Sequence, residues 1–150
     1  MFLDEYREKF GISKRKFNHL VEKSCKALDN AYCPYSKFKV GAAVLAASGK
    51  VYTGSNVENA SYGLTMCAER SAIYAASSAG EREIVALFLC SPRRTPIMPC
   101  GACLQVLSEF VPKKKKDILI IRVCRSSTRT GFGVLSEMYN DKFTSEKFNF

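Results

Sequence analysis

A chain of 150 residues with 23 Lys and Arg against 14 Asp and Glu, net charge +9, has the size of one folding unit and argues against a two-domain enzyme. Its 47% hydrophobic and 25% charged residues, five Pro and nine Gly exclude a disordered, collagen-like or low-complexity protein. No run approaches the roughly 20 apolar residues of a membrane-spanning helix, and the charged residues 1–10 are no signal core, so a cytosolic or nuclear protein with no membrane partner is expected.

In chain order, Phe2, Leu3, Tyr6 and Phe10 suggest a helical turn or two. Ser13 is a natural N-cap, and Phe17, Leu20, Val21 and Leu28 recur at helical spacing behind it, which predicts an amphipathic helix. Residues 33–36 break that pattern as a loop. Residues 39–46 and 51–55 read as two strands of a hairpin turned at Ser48, Gly49 and Lys50. The Ala-rich stretch 67–79, stopped by Gly80, predicts a helix, and 84–90 a buried strand.

Residues 93–99 carry two prolines and no period, whereas 100–111 place Cys103, Leu104, Val106, Leu107 and Phe110 at helical intervals. The apolar run within 117–123 predicts a strand covered on both faces, and a further short strand is expected near Val134. Strands alternating with helices after the hairpin predict an α/β fold, a mixed β-sheet sandwiched by helices, with residues 1–150 as a single domain.

Seven cysteines, an odd number in a chain able to build its own core, argue for thiol chemistry or metal over a disulfide framework. Cys25, Cys33, Cys90 and Cys124 read as ordinary packed thiols, and the sole histidine, His19, as a helix-face residue. The basic surplus is partly concentrated in residues 113–116 and at Arg122, Arg125 and Arg129. Without interleaved aromatics it reads as a solvated surface in preference to a strand-binding groove.

Two motifs carry chemistry: Cys67, Ala68, Glu69 and Arg70 at the start of one predicted helix, and Pro99, Cys100, Gly101, Ala102 and Cys103 at the start of the next. A thiolate at a helix N-terminus faces unsatisfied N–H groups and the positive end of the helix dipole, which prepares it for metal. Cys100 and Cys103, three apart on a first turn, can close on one tetrahedral Zn2+ with Cys67 as third sulfur. Three thiolates leave a fourth position for water, as hydrolysis requires, whereas a structural site is closed by four ligands.

Glu69 follows Cys67 by about 200° around an ideal helix, so both serve one site only if Cys67 stands at the very start of the turn. Three thiolates also leave the ion one net negative charge, and Arg70 is the candidate for offsetting it. Either motif alone also occurs in redox and structural-zinc modules. Joined in this order they form the three-cysteine zinc deaminase signature, in which the Glu is the proton-transferring acid and base.

From about residue 32 to 143 the chain resembles the small, tetrameric, three-cysteine cytidine deaminases. Besides both zinc motifs, the resemblance rests on Cys33, Pro34, Tyr35 and Ser36, on Phe38 with Val40, Gly41, Ala42 and Ala43, and on Asn56, Val57, Glu58, Asn59 and Ala60. It implies a three-layer fold, one Zn2+ per subunit, and hydrolysis of cytidine and deoxycytidine to uridine and deoxyuridine plus ammonia in pyrimidine salvage. It further implies that Asn56 and Glu58 hold the ribose 3'-hydroxyl, that Phe38 packs on the pyrimidine and that the Ala68 N–H contacts the base carbonyl. Tyr62 would shape the pocket at a subunit boundary, and Phe143 would reach a neighbour's site, making the homotetramer's active sites composite.

Taken without the resemblance, Asn56 and Glu58 read as turn residues and the aromatics as core. Met98 and Leu104 replace the Ser and Arg that commonly flank the second motif, and Asn140 an expected tail proline. Phe148 and Phe150 add a weak pointer to assembly. Two rivals remain: a polynucleotide-editing deaminase, disfavoured because Asn56 and Glu58 on a free ribose would exclude a continuing strand, and a structural zinc or RNA-binding module closed by Cys90 or Cys124.

Overall fold

The first helix, α1 (Leu3–Lys9), is short, and its ends are electrically matched: Asp4 and Glu5 fill the first turn, Arg7 and Lys9 the last. Glu5 also accepts the Phe2 N–H at 2.7 Å. Ser13 then caps α2 (Lys14–Ala27) by accepting the Lys16 N–H at 3.2 Å, as its position predicts. The structure, a computed structural model, describes residues 2–140 and 142–144; Phe148 and Phe150 lie outside them.

Five strands form one sheet: β1 (Gly41–Ala46), β2 (Val51–Ser55), β3 (Ile84–Ser91), β4 (Leu119–Cys124) and β5 (Thr130–Val134), in the order β2-β1-β3-β4-β5. The β3–β4 pair is parallel and the other three pairs are antiparallel, the mixed sheet expected. β1 and β3 are buried along their whole length, whereas the edges β2 and β5 are partly exposed. Side chains alternate between two cores. On β4, Leu119, Ile121 and Val123 face the core under α1 and α2, with Leu20, Leu28 and Phe88, while Ile120 faces the other way.

That second core is covered by α3 (Ala68–Ser78) and α4 (Gly101–Ser108), whose Ala72, Ile73, Ala76, Leu104 and Leu107 pack with Val44, Leu87 and Leu89. The result is three layers, helices on both faces of the sheet. The structure differs from the sequence reading in three places. The predicted helix 100–111 stops at Ser108, because the Phe110 carbonyl accepts the Ile84 N–H at 2.8 Å and ties the chain to the sheet. A last short helix, α5 (Leu135–Met138), follows β5. Cys25 on α2 and Cys90 on β3 are joined as a disulfide with Cα atoms 5.2 Å apart, a correction to their reading as packed thiols. Sixty-five residues separate them in sequence, and only the packing of α2 on the sheet makes them neighbours.

β2 and α3 touch backbone to backbone at Gly54. A Cβ there would overlap the Ala72 N and lie 2.7 Å from the Ala68 O. Gly54→Ala is therefore expected to cost about 1–3 kcal/mol of stability by overpacking. It should also displace the first turn of α3, seen as a lower melting midpoint together with weakened zinc retention.

Candidate active site

The starts of α3 and α4 converge at one end of the sheet. Cys67 and Cys100 are not the first helical residues but the N-caps, both in extended conformation (φ −71°, ψ 153° and φ −74°, ψ 162°). An N-cap stands off the helical wheel, so the separation of about 200° between residues i and i+2 does not apply, and Cys67 and Glu69 line the same cavity. Cys103 lies one turn into α4.

The three sulfurs lie within 4.8 Å of one another, Cys67 to Cys100 at 3.9 Å and Cys100 to Cys103 at 3.4 Å. Sulfurs on a tetrahedral Zn2+ with bonds of about 2.3 Å stand about 3.8 Å apart, so the trio matches the ion closely. Among the described residues no fourth Cys, His, Asp or Glu joins it. Cys90 is held in its disulfide, and neither it nor Cys124 closes a four-cysteine site.

The donor set is electrostatically prepared. Hydrogen bonding with Cys103 pulls the Cys67 thiol down to about 5, helped by Arg70 and Cys100, while Cys103 is pushed up in turn by that same hydrogen bond. Arg70 Nη2 donates to Cys67 Sγ at 3.5 Å, and this bond holds its guanidinium more firmly protonated. Leu104 turns into the core beneath the sheet-facing side of α4, so the positive charge at the thiolates comes from Arg70. Glu69 is only 5% exposed, and burial pushes its carboxyl up to about 7, with the Cys67 charge adding to the shift.

A cavity of about 300 Å³ opens beside these groups. Phe38, Asn56, Glu58, Ala68 and Glu69 all line it, together with Cys67 and Cys100. Ser36, Val40, Thr65, Ile97 and Met98 complete the wall; of these, Thr65 and Ile97 were not singled out from the sequence. Ile97 lies in the aperiodic 93–99 stretch, which offers no pattern to read, whereas Met98 directly precedes the second cysteine motif. Met98 is braced from below by Arg122, whose Nη1 lies 2.7 Å from its Sδ, and the Arg93 guanidinium stands 5.6 Å from the Phe38 ring centre.

Asn56 and Glu58 are also turn residues in the sense their chemistry allows. The Asn56 amide donates to the Phe38 carbonyl at 2.9 Å and accepts the Val40 N–H at 2.8 Å and the Cys33 thiol at 3.7 Å. Glu58 accepts the Tyr35 and Ser36 N–H groups at 2.9 and 3.2 Å and the Ser36 hydroxyl. The Ser36 hydroxyl, ahead of the two N–H groups, holds the Glu58 carboxyl below its usual range. Together they pin the segment that carries Phe38.

Two expected site residues are not in this cavity. Tyr62 is 76% exposed and meets Tyr35 edge to face at 6.0 Å, beside an adjoining hollow of about 440 Å³ that shares Ser36, Glu58 and Thr65 with the cavity. Phe143 is tied to α4: the Gln105 amide accepts its N–H at 3.2 Å and donates to its carbonyl at 3.0 Å, and the residue is 57% exposed. Gln105 also accepts the Tyr139 hydroxyl at 2.8 Å. Among the described residues no helix is long and apolar enough to cross a membrane.

Comparison with known proteins agrees with this geometry. The profile of the cytidine and deoxycytidylate deaminase zinc-binding region matches residues 14–116. A cytidine deaminase of Halalkalibacterium halodurans is 48% identical over 100 residues, 67% of this chain and 76% of that one. A probable cytidine deaminase of Dictyostelium discoideum is 47% identical over 95 residues, 60% and 65% of the two chains. Among solved structures, the cytidine deaminase from Burkholderia pseudomallei superimposes with a TM-score of 0.77 at 39% identity, covering 84% of this chain and 98% of its own.

Proposed function

The chain belongs to the cytidine and deoxycytidylate deaminase family, and from that premise we propose that it hydrolyses cytidine to uridine and ammonia, and deoxycytidine to deoxyuridine, in pyrimidine salvage. The observation that carries this reading is the trio of thiolates with no fourth ligand among the described residues, set beside a buried carboxyl at the wall of a 300 Å³ cavity. A closed structural centre has no use for either the open position or the buried acid.

Cys67, Cys100 and Cys103 hold Zn2+, which supplies the Lewis acidity that makes a water nucleophilic near neutral pH. Arg70 offsets the surplus negative charge of three thiolates. Glu69 takes a proton from the attacking water as its oxygen adds to C4, and delivers that proton to N3. It then takes the remaining hydroxyl proton and gives it to the 4-amino group, which leaves as ammonia while the C4 carbonyl forms. One carboxyl thus acts as base and acid twice over, and its burial keeps bulk water from intercepting the proton.

The first-turn N–H of Ala68 has no partner within α3 and suits the base carbonyl. Phe38 packs on the ring, and Asn56 and Glu58 take the ribose while holding the segment beneath it. Glu58→Gln should raise KM about 10- to 100-fold, the worth of a hydrogen bond to a charged group, with a smaller change in kcat. Because the folded state holds Glu58 below the usual carboxylate range, it stays charged as pH falls to about 5. Glu58 is therefore expected to contribute no step to KM between about pH 5 and 9, any carboxylate step near 7 belonging to Glu69 and persisting in Glu58→Gln, which steady-state kinetics across that range checks.

The protein is a single catalytic domain working in the cytoplasm as a homotetramer with composite sites. The exposed Tyr62 beside its hollow, and Phe143, 57% exposed with its backbone held by Gln105, support that assembly. Light scattering at several concentrations tests it: a monomer at all of them sinks the composite site. The activity itself is tested by following the ultraviolet change as cytidine becomes uridine with zinc-replete protein. Absence of turnover with one zinc per chain would overturn the nucleoside reading.

A further inference from the structure

Residues 9–26 and 113–116 together hold ten of the 23 Lys and Arg but one of the 14 Asp and Glu, a net of +9, and the other residues balance at thirteen of each. The entire positive excess of the chain is therefore local. The fold brings the two segments together: Lys115 Nζ donates to the Lys9 carbonyl at 3.4 Å and stands 5.7 Å from the Phe10 ring centre, so the 113–116 turn abuts the junction of α1 and α2. From there the exposed Lys14, Arg15, Lys23 and Lys26 carry the charge along α2, whose 14 residues span about 21 Å.

Among the described residues no carboxylate forms an ion pair with any of these ten cations; the ion pairs there join Arg7 to Asp4 and Glu8 and Arg125 to Asp29 only. The surface is also concave: an open hollow of about 660 Å³ is lined by Gly11, Ser13, Arg15, Lys16 and His19. Lys16 Nζ donates to the Gly49 carbonyl at 2.8 Å, which fixes its side chain along the groove. All of this lies on the α2 side of the sheet, opposite the layer of α3 and α4 that carries the thiolates.

We propose that this face docks the phosphodiester backbone of a nucleic acid, at a place separate from the nucleoside cavity. A single phosphate or nucleotide needs donors converging on one point, whereas these cations are strung along a helix and a turn, the spacing of a polyanion. None of the exposed large apolar side chains falls within the two segments. The face therefore has nothing to insert into the acyl region of a membrane. It also has no aromatic platform for stacking bases, so contacts run to phosphates and binding is independent of sequence and steep in salt.

The test is fluorescence anisotropy with a labelled 20-nucleotide oligothymidylate between 25 and 200 mM NaCl, about the range over which phosphate contacts are lost. For the wild type, the logarithm of the binding constant should fall linearly with that of salt. Lys23→Glu/Lys114→Glu should weaken binding at least about tenfold at the low end and flatten the slope by at least about 1.4, near 0.7 for each cation removed from a single strand. Arg94→Glu/Arg129→Glu, the same charge change in the loops after β3 and β4, should do far less, with melting midpoints of both variants near wild type. Equal losses in the two pairs would make binding a matter of net charge and overturn the docking face. So would no binding by the wild type at 25 mM salt, or binding to vesicles of phosphatidylcholine and phosphatidylserine that the oligonucleotide does not displace.

Discussion

Glu69→Gln is expected to leave a folded, zinc-replete protein whose kcat falls by at least about 10²- to 10⁴-fold, the range for loss of a positioned proton shuttle. The amide keeps the shape of the carboxyl, and Glu69 is not among the three thiol ligands, so metal content should stay at one per chain. Because the side chain is 5% exposed, a neutral amide also avoids the cost of burying a charge, and the melting midpoint should not drop through desolvation. Steady-state kinetics, metal analysis and a thermal melt separate these statements. Turnover within a few-fold of wild type would remove Glu69 from the mechanism, whereas lost zinc would show that it supports the metal.

Cys100→Ala should fail in the opposite way, by losing the metal first. Cys100 is the N-cap of α4 and lies 3.9 and 3.4 Å from the other two sulfurs, so its loss leaves two thiolates that cannot close the protein side of the site. Metal bound only by the folded state stabilises it by about 2.7 kcal/mol when free zinc is at a hundred times its Kd. For a chain of this size that is roughly 5–10 °C in Tm. A chelator should lower the wild-type Tm by that amount and leave Cys100→Ala unmoved. Stoichiometric zinc in the variant would refute the ligand assignment.

These two variants probe what was most legible in the chain. Cys67, Glu69, Cys100 and Cys103 could be read because each sits within a few residues of a helix start, and capping, spacing and period are properties of contiguous chain. The run around Ile118 to Ile121 likewise declared a strand covered on both faces, and β4 is buried there. The hairpin followed from two strand-like segments separated by the short polar turn Ser48, Gly49 and Lys50, and the Gly49 φ of +87° is the turn conformation that glycine supplies. The end of α4 was misjudged because the residue that stops it, Ile84, is remote in sequence and acts through one hydrogen bond to Phe110.

Composition and local pattern determined the layers, the two helix starts and the chemistry class, since nearest neighbours along the chain dictate turns, caps and amphipathic faces. Tertiary structure alone decided the rest. It turned Asn56 and Glu58 back onto residues 33–40, tied Phe143 to Gln105, joined Cys25 to Cys90, and gathered residues 9–26 and 113–116 on one surface. Each of these pairings links residues that sequence distance holds apart, and which of them meet is set by strand order and by the face of the sheet on which each helix packs.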